Sequence, residues 1–205
     1  MRMLRKLYKI LLPDPPKLQE FYFRKALDEL GIHDGQVVIQ HETGRCFHEQ
    51  TGWLNLTFPI THVRAAMQLR APKTSETFFR GVITEQRVWV NNFENVEPSD
   101  YGRDKKKKYT FHAEYFEELS KARFGLAPVG DCPWSYRFFE AIMCNAIPVL
   151  GPEDEDIYAS QFHHYRYPEI GSYDTRLCRE NTRVLIENHT ISSDLQRSLL
   201  LELAT

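Results

Sequence analysis

An α/β fold, with a parallel sheet flanked by helices, is what this sequence predicts, and three observations predict it. The run "FGLAPVGDCPWSYRFFEAIMCNAIPVLG" at 124–151 reads as strand, Gly/Pro loop, helix and second strand, a unit whose crossover is expected to be right-handed and parallel. Two strand-like runs and one helical run precede it: "TFFRGV" at 77–82, "QRVWVNN" at 86–92 and "FHAEYFEELSKA" at 111–122. The chain has 205 residues, of which 42% are hydrophobic, enough to build the core of one ordinary α/β domain.

Composition narrows the function classes. A formal net charge of −2 gives no global basic face for a polyanion, so nucleic acid is not expected as a partner. The four cysteines, Cys46, Cys132, Cys144 and Cys178, form no C-x-x-C pair and suggest neither a zinc site nor a disulfide framework. They are expected as buried free thiols. The sequons at Asn55 and Asn188 would matter only in a secreted chain.

In chain order, "MRMLRKLYKILLPDPP" carries an apolar stripe broken by Arg2, Arg5, Lys6 and Lys9. It is too short and too charged for a signal peptide or a membrane span, which predicts a cytoplasmic address. A first element packed on its own domain is expected, and peripheral contact with an anionic membrane is the alternative. "KLQEFYFRKALDELG" has helical spacing and stops at Gly31; "GQVVIQ" follows as a short buried strand, and "WLNLTFPI" as an edge strand between loops. Lys105 to Lys108 belong to an exposed loop. The last thirty or so residues read as two helices hinged near "HTISS".

Within the 124–151 run, Ser135 suits the helix N-cap, Pro133 and Gly130 shape the approach, and Asn145 tolerates the left-handed conformation that ends a helix. Such a unit leaves backbone N–H groups and the positive end of a helix dipole at the carboxyl edge of the sheet, where nucleotide phosphates bind. Arg137 offers a diphosphate a planar fork of donors, and Glu140 offers ribose hydroxyls an acceptor. Their spacing equally suits an ordinary helical surface pair.

The same stretch resembles the signature of exostosin-type glycosyltransferases, through Pro128, Gly130, Ser135, Arg137, Phe138, Glu140, Ala141, Ile147, Pro148 and Val149. "FFRGV" is similar to the family's glycine turn, so the resemblance runs from about residue 75 to residue 190. It implies a GT-B-type fold, two Rossmann-like halves facing a cleft, with a nucleotide sugar held mainly by the carboxy-terminal half and no metal or other cofactor required. Residues 75–205 would be that donor domain with its closing helices, and residues 1–74 a reduced acceptor-side portion.

The resemblance places Arg80 and Gly81 near the donor phosphates, Ser135 and Arg137 on the diphosphate or sugar, and Glu140 on ribose or sugar hydroxyls, with Gly130 in the donor loop. Val129 departs from the basic residue common after the proline, and Asn145 and Ala146 from the common Gly-Cys. A base must take the proton of the attacking hydroxyl; His41, Glu42 and His48 in the amino-terminal portion, and Asp131 in the donor loop, are the candidates. The expected function is transfer of a sugar to a hydroxyl of a glycan, a lipid-linked acceptor or a protein. Two rivals stand beside it: a metal-dependent transferase using Asp154 and Asp156, and a nucleotide- or sugar-binding module without catalysis. The acidic run holding those aspartates is expected as a solvated loop.

Overall fold

A computed structural model describes residues 18–99, 110–129 and 132–204. The basic amino-terminal run, the lysines at 105–108, Gly130 and Asp131 lie outside the described residues.

Five strands form one parallel sheet: β4 (Ser75–Gly81), β5 (Val96–Pro98), β6 (Ala122–Leu126), β7 (Ile147–Leu150) and β8 (Tyr165–Arg166), in the spatial order β5-β4-β6-β7-β8. The register sets Phe79 beside Val96, Thr77 beside Phe124, and Phe124 beside Ile147. β7 is buried at all four positions, as a strand covered on both faces must be. From β4 the chain goes first to one side, into β5, and later to the other, into β6. The order therefore reverses between β4 and β6, the place at which sheets of this kind put a ligand crevice beyond their carboxyl ends.

Alternation along β4 sends Phe78 and Phe79 to opposite faces, and a separate apolar cluster covers each. On one face α3 (Ala113–Ser120) and α4 (Tyr136–Met143) supply Phe116, Leu119, Phe138, Phe139 and Ile142. The other face holds Trp89, Val90 and Cys178. Two closing helices, α5 (Thr175–His189) and α6 (Asp194–Ala204), add Leu185, Ile186 and Leu199 to the first cluster, and their break falls at 190–193, as expected from "HTISS".

α4 lies unusually close to β6. A Cβ on Gly125 would stand 2.5 Å from that of Ala141 and 3.4 Å from Leu119 Cδ1, and helix and strand cannot both hold their places around it. Gly125→Ala is expected to cost about 1–3 kcal/mol, the usual cost of overpacking, seen as a lower denaturant midpoint with unchanged slope.

The amino-terminal portion contains α1 (Leu18–Asp28), a three-stranded antiparallel sheet of β1 (Val37–Gln40), β2 (Arg45–His48) and β3 (Gly52–Leu54), and α2 (Ile60–Gln68). Gly31, at φ 75, ends the first helix as expected. Val37, Ile39, Cys46 and Leu54 pack on Phe23 and Leu27 of α1. Leu56, Phe58, Ile60 and Val63 join the same core as Phe138 and Phe139, so apolar packing is continuous from the amino-terminal portion into the large sheet.

Four readings of the sequence are corrected. Residues 85–92 are a 3₁₀ segment rather than a strand, with the adjacent residues Trp89 and Val90 buried and no alternation between faces. The "GQVVIQ" strand is half-exposed, alternating between a covered and an open face. "WLNLTFPI" stops being strand at Leu54 and turns into α2 at Ile60, whose amide, with that of Thr61, is held by the Glu29 carboxylate at 2.8 and 3.2 Å. The acidic run is no solvated loop: Asp154 is 7% and Asp156 8% exposed. Cys46, Cys144 and Cys178 are buried free thiols, and burial pushes the Cys46 and Cys144 thiols up to about 11 and about 12. Among the described residues no helix is long and apolar enough to cross a membrane.

Candidate active site

The reversal of strand order brings the end of β4 beside the start of α4. Ser135 sits in extended conformation and caps α4, its hydroxyl accepting from Arg137 N at 3.3 Å. At the other end Asn145, at φ 58, closes the helix. Arg70 Nε donates to Met143 O at 2.9 Å, and Lys73 Nζ to Cys144 O at 2.9 Å and Ser120 O at 2.8 Å. Two cations thus sit on the carbonyl end of α4, where the helix dipole favours them. Burial lowers the Lys73 ammonium to about 8.

Arg137 crosses from α4 to β4. Its Nε donates to Arg80 O at 3.2 Å, and its guanidinium lies 5.1 Å from the centre of the Phe79 ring. The head rests on Gly81, where any Cβ would collide with Nη2. Gly81 takes no left-handed backbone here; it is needed for room. Arg80, Gly81, Ser135 and Arg137 are therefore brought together, as the sequence suggested. The Arg80 side chain is itself paired with Glu97, which raises its already high pKa.

Glu140 lies one turn deeper and is 2% exposed; the Tyr115 hydroxyl donates to its Oε2 at 2.9 Å. Gly130 and Asp131 fall outside the described residues. Sequence reasoning missed Arg87. From the 3₁₀ segment its Nε donates to Val129 O at 3.0 Å and its Nη1 to Val82 O at 3.2 Å, so it bridges the chain after β4 and the chain after β6. The only signal for it in the sequence is a basic residue six positions past the glycine turn.

The turn at 41–44, between β1 and β2, packs against the donor loop. Trp134 Nε1 donates to His41 O at 2.8 Å, and Tyr158 Oη to Thr43 O at 2.6 Å. From below, Gln19 Nε2 donates to Gly44 O at 2.6 Å, so its Oε1 must be the atom facing His41 Nδ1 at 3.1 Å. An amide oxygen only accepts, so His41 Nδ1 carries a proton and donates to it. Glu42 is exposed on the same turn. His48 lies at the opposite end of the hairpin, 1% exposed, with Nε2 on Asp34 O at 2.9 Å and Nδ1 accepting from Gln50 N at 3.2 Å. The structure separates it from the site.

The Asp-x-Asp pair faces inward. Asp154 Oδ2 accepts from Gly151 N at 2.7 Å; Asp156 accepts from Ser135 N at 3.0 Å and Tyr158 N at 2.9 Å. Arg166 Nη1 binds the carbonyls of Gly151 and Asp154 at 2.8 and 2.7 Å and locks the same loop. These carboxylates are committed to backbone amides. Burial raises Asp156 to about 6 despite those bonds.

Comparison with known proteins adds a direction. No described protein family and no solved structure matches the chain. Among curated proteins it is 37% identical over 68 residues to the probable glucuronosyltransferase GUT1 of Oryza sativa subsp. japonica, covering 33% of this chain and 14% of that protein. It is 36% identical over 67 residues to the probable beta-1,4-xylosyltransferase IRX10 of Arabidopsis thaliana, covering 33% and 15%. Over 164 residues it is 25% identical to a second rice protein, a probable glucuronosyltransferase, covering 59% and 38%. The curated proteins it matches are plant glycosyltransferases of the exostosin type. Each match spans well under half the length of the relative.

Proposed function

We propose that the chain binds a nucleotide-sugar donor in the crevice beyond β4 and β6 and transfers its glycosyl group to an acceptor hydroxyl. The observation that carries this is the Arg137 guanidinium, laid across Gly81 beside the amino end of α4. A diphosphate placed there meets a fork of donors, the helix N–H groups and the positive end of the dipole. Arg87 adds a second guanidinium, held on the carbonyls of Val82 and Val129. The names of the plant relatives support the same reaction class.

In the reaction, His41 Nε2 takes the proton of the acceptor hydroxyl, whose oxygen bonds the anomeric carbon. The bond from that carbon to the diphosphate oxygen breaks, and the nucleoside diphosphate leaves with the electron pair. Its added charge falls on Arg137 and the α4 amides, a preorganised cationic site for the leaving group. Neutralisation by these groups makes a metal-independent transfer the favoured form.

Calorimetric and thermal-shift titration against UDP, GDP, ADP, CMP and dTDP and their sugars, with and without manganese, tests the reading. It predicts one base preferred and binding without manganese. Binding only with manganese would move the leaving-group role from Arg137 to a metal. Binding without turnover on any hydroxyl acceptor would leave a nucleotide-sugar-binding module.

A further inference from the structure

The acidic run, which the donor site does not use directly, joins two parts of the site. One oxygen of Asp156 accepts from Ser135 N, the residue that caps α4, and the other from Tyr158 N. Two residues on, the Tyr158 hydroxyl donates to Thr43 O at 2.6 Å and accepts from Leu56 N at 3.2 Å. A second strand of the connection runs from Pro133 O, which accepts from Ile157 N at 3.0 Å, and from the Trp134 indole to His41 O. The Tyr158 ring is 4% exposed and packs on Phe139 of α4 at 5.6 Å between centroids. Gly44 completes the fit: at φ +65 it brings the turn so near that a Cβ would stand 2.9 Å from the Tyr158 hydroxyl.

We propose that Asp156 and Tyr158 are positioning residues, forming a tether that sets the His41-bearing turn against the donor loop so that donor occupancy is felt at the acceptor side. The inference rests on the donor site proposed above. Every group in the tether has a stated partner: the carboxylate holds two amides, the hydroxyl one carbonyl and one amide. Movement of Ser135 on binding a diphosphate is transmitted through Asp156 to Tyr158 and from there to Thr43. A turn fixed only by its own hairpin would not share that movement. The tether also gives buried Asp156 a role in a run that otherwise reads as solvated.

Amide hydrogen exchange tests this in the whole chain, with UDP as the probe, for the wild type, Tyr158→Phe, Asp156→Asn and Trp134→Phe. In the wild type, UDP is expected to slow exchange in 132–137 and also in 41–45. Tyr158→Phe keeps the ring and the fold; it should bind UDP within about threefold of wild type, because its hydroxyl bonds Thr43 O and Leu56 N and neither Arg137 nor the first amides of α4. Exchange at 41–45 should rise roughly tenfold and stop responding to UDP, since the turn has lost the hydrogen bond that Tyr158 makes to Thr43 O. Asp156→Asn offers N–H to an amide N–H and should uncouple the turn in the same way, and Trp134→Phe should do so in part. Unchanged exchange at 41–45 in Tyr158→Phe, with the response to UDP retained, would overturn the tether. Absence of UDP binding to the wild type, with the turn still loosened in ligand-free Tyr158→Phe, would count against UDP as donor while leaving the tether standing.

Discussion

Gly81→Ala is expected to abolish most nucleotide binding while leaving the fold almost untouched. The added methyl meets only the head of Arg137, the far end of a flexible side chain, so the guanidinium swings away at little cost to stability. What is lost is its place. The head no longer lies on Gly81, its bond to Arg80 O breaks, and the fork no longer faces the amino end of α4. Charge-assisted hydrogen bonds contribute about 1.5–3 kcal/mol each, so loss of even one of them from a misplaced guanidinium should weaken binding by about 10- to 150-fold. Arg137→Ala should give a similar loss, and the double variant little more, because both remove the same contact. Titration of the preferred nucleotide, alongside denaturant midpoints, checks this. Additive losses would mean that Gly81 and Arg137 act separately and that the guanidinium is not the diphosphate ligand.

That pairing also shows how far the sequence alone could lead. The Ser135 cap, the Asn145 stop, the buried β7 and the break between the last two helices obey rules confined to a few neighbouring residues, and all were legible. The gathering of Arg80, Gly81, Ser135 and Arg137 was legible only through the family resemblance, since no local pattern sets the glycine strand beside α4. Residues 85–92 misled because their Val, Trp and Val mimic a strand, whereas Arg87 ties the segment to carbonyls after two different strands. α2 was missed because its amino end is held by Glu29, 31 residues away from Ile60. The links from Trp134 and Tyr158 to the 41–44 turn span 93 and 115 residues. No local pattern encodes such distances. Burial of Asp156 was illegible for the same reason, since its bond to Ser135 N spans 21 residues; Asp154 turns inward onto Gly151 N, three residues away, where the charge run read as solvated.

Two buried groups are expected to oppose each other as the pH falls, hiding a large acid sensitivity. His189 is fully buried, its Nδ1 donating to Leu56 O at 2.8 Å among the rings of Phe139, Tyr158 and Phe162. Burial lowers it from 6.5 to about 4. Between those values the unfolded chain takes up a proton that the folded chain refuses, so folding stability is lost as pH falls from 6.5 to 4, by about 3 kcal/mol. Asp156 runs the other way. Burial raises it from 3.8 to about 6, so in that window the folded state holds the extra proton, and its contribution grows as pH falls from 6 to 3.8, also by about 3 kcal/mol. In the wild type the two nearly cancel, and stability should vary little between pH 6.5 and 4 on their account. Asp156→Asn leaves His189 uncompensated: relative to wild type it should become about 3 kcal/mol less stable at pH 4 than at pH 7. His189→Gln should show the mirror image, gaining on the wild type as acid is added. Urea midpoints at pH 4, 5, 6 and 7 for the three proteins decide the matter. Parallel profiles would mean that neither group titrates out of step with its unfolded state. Curves that diverge in opposite directions would show that the carboxylate holding Ser135 also offsets the acid lability of the core beneath α4.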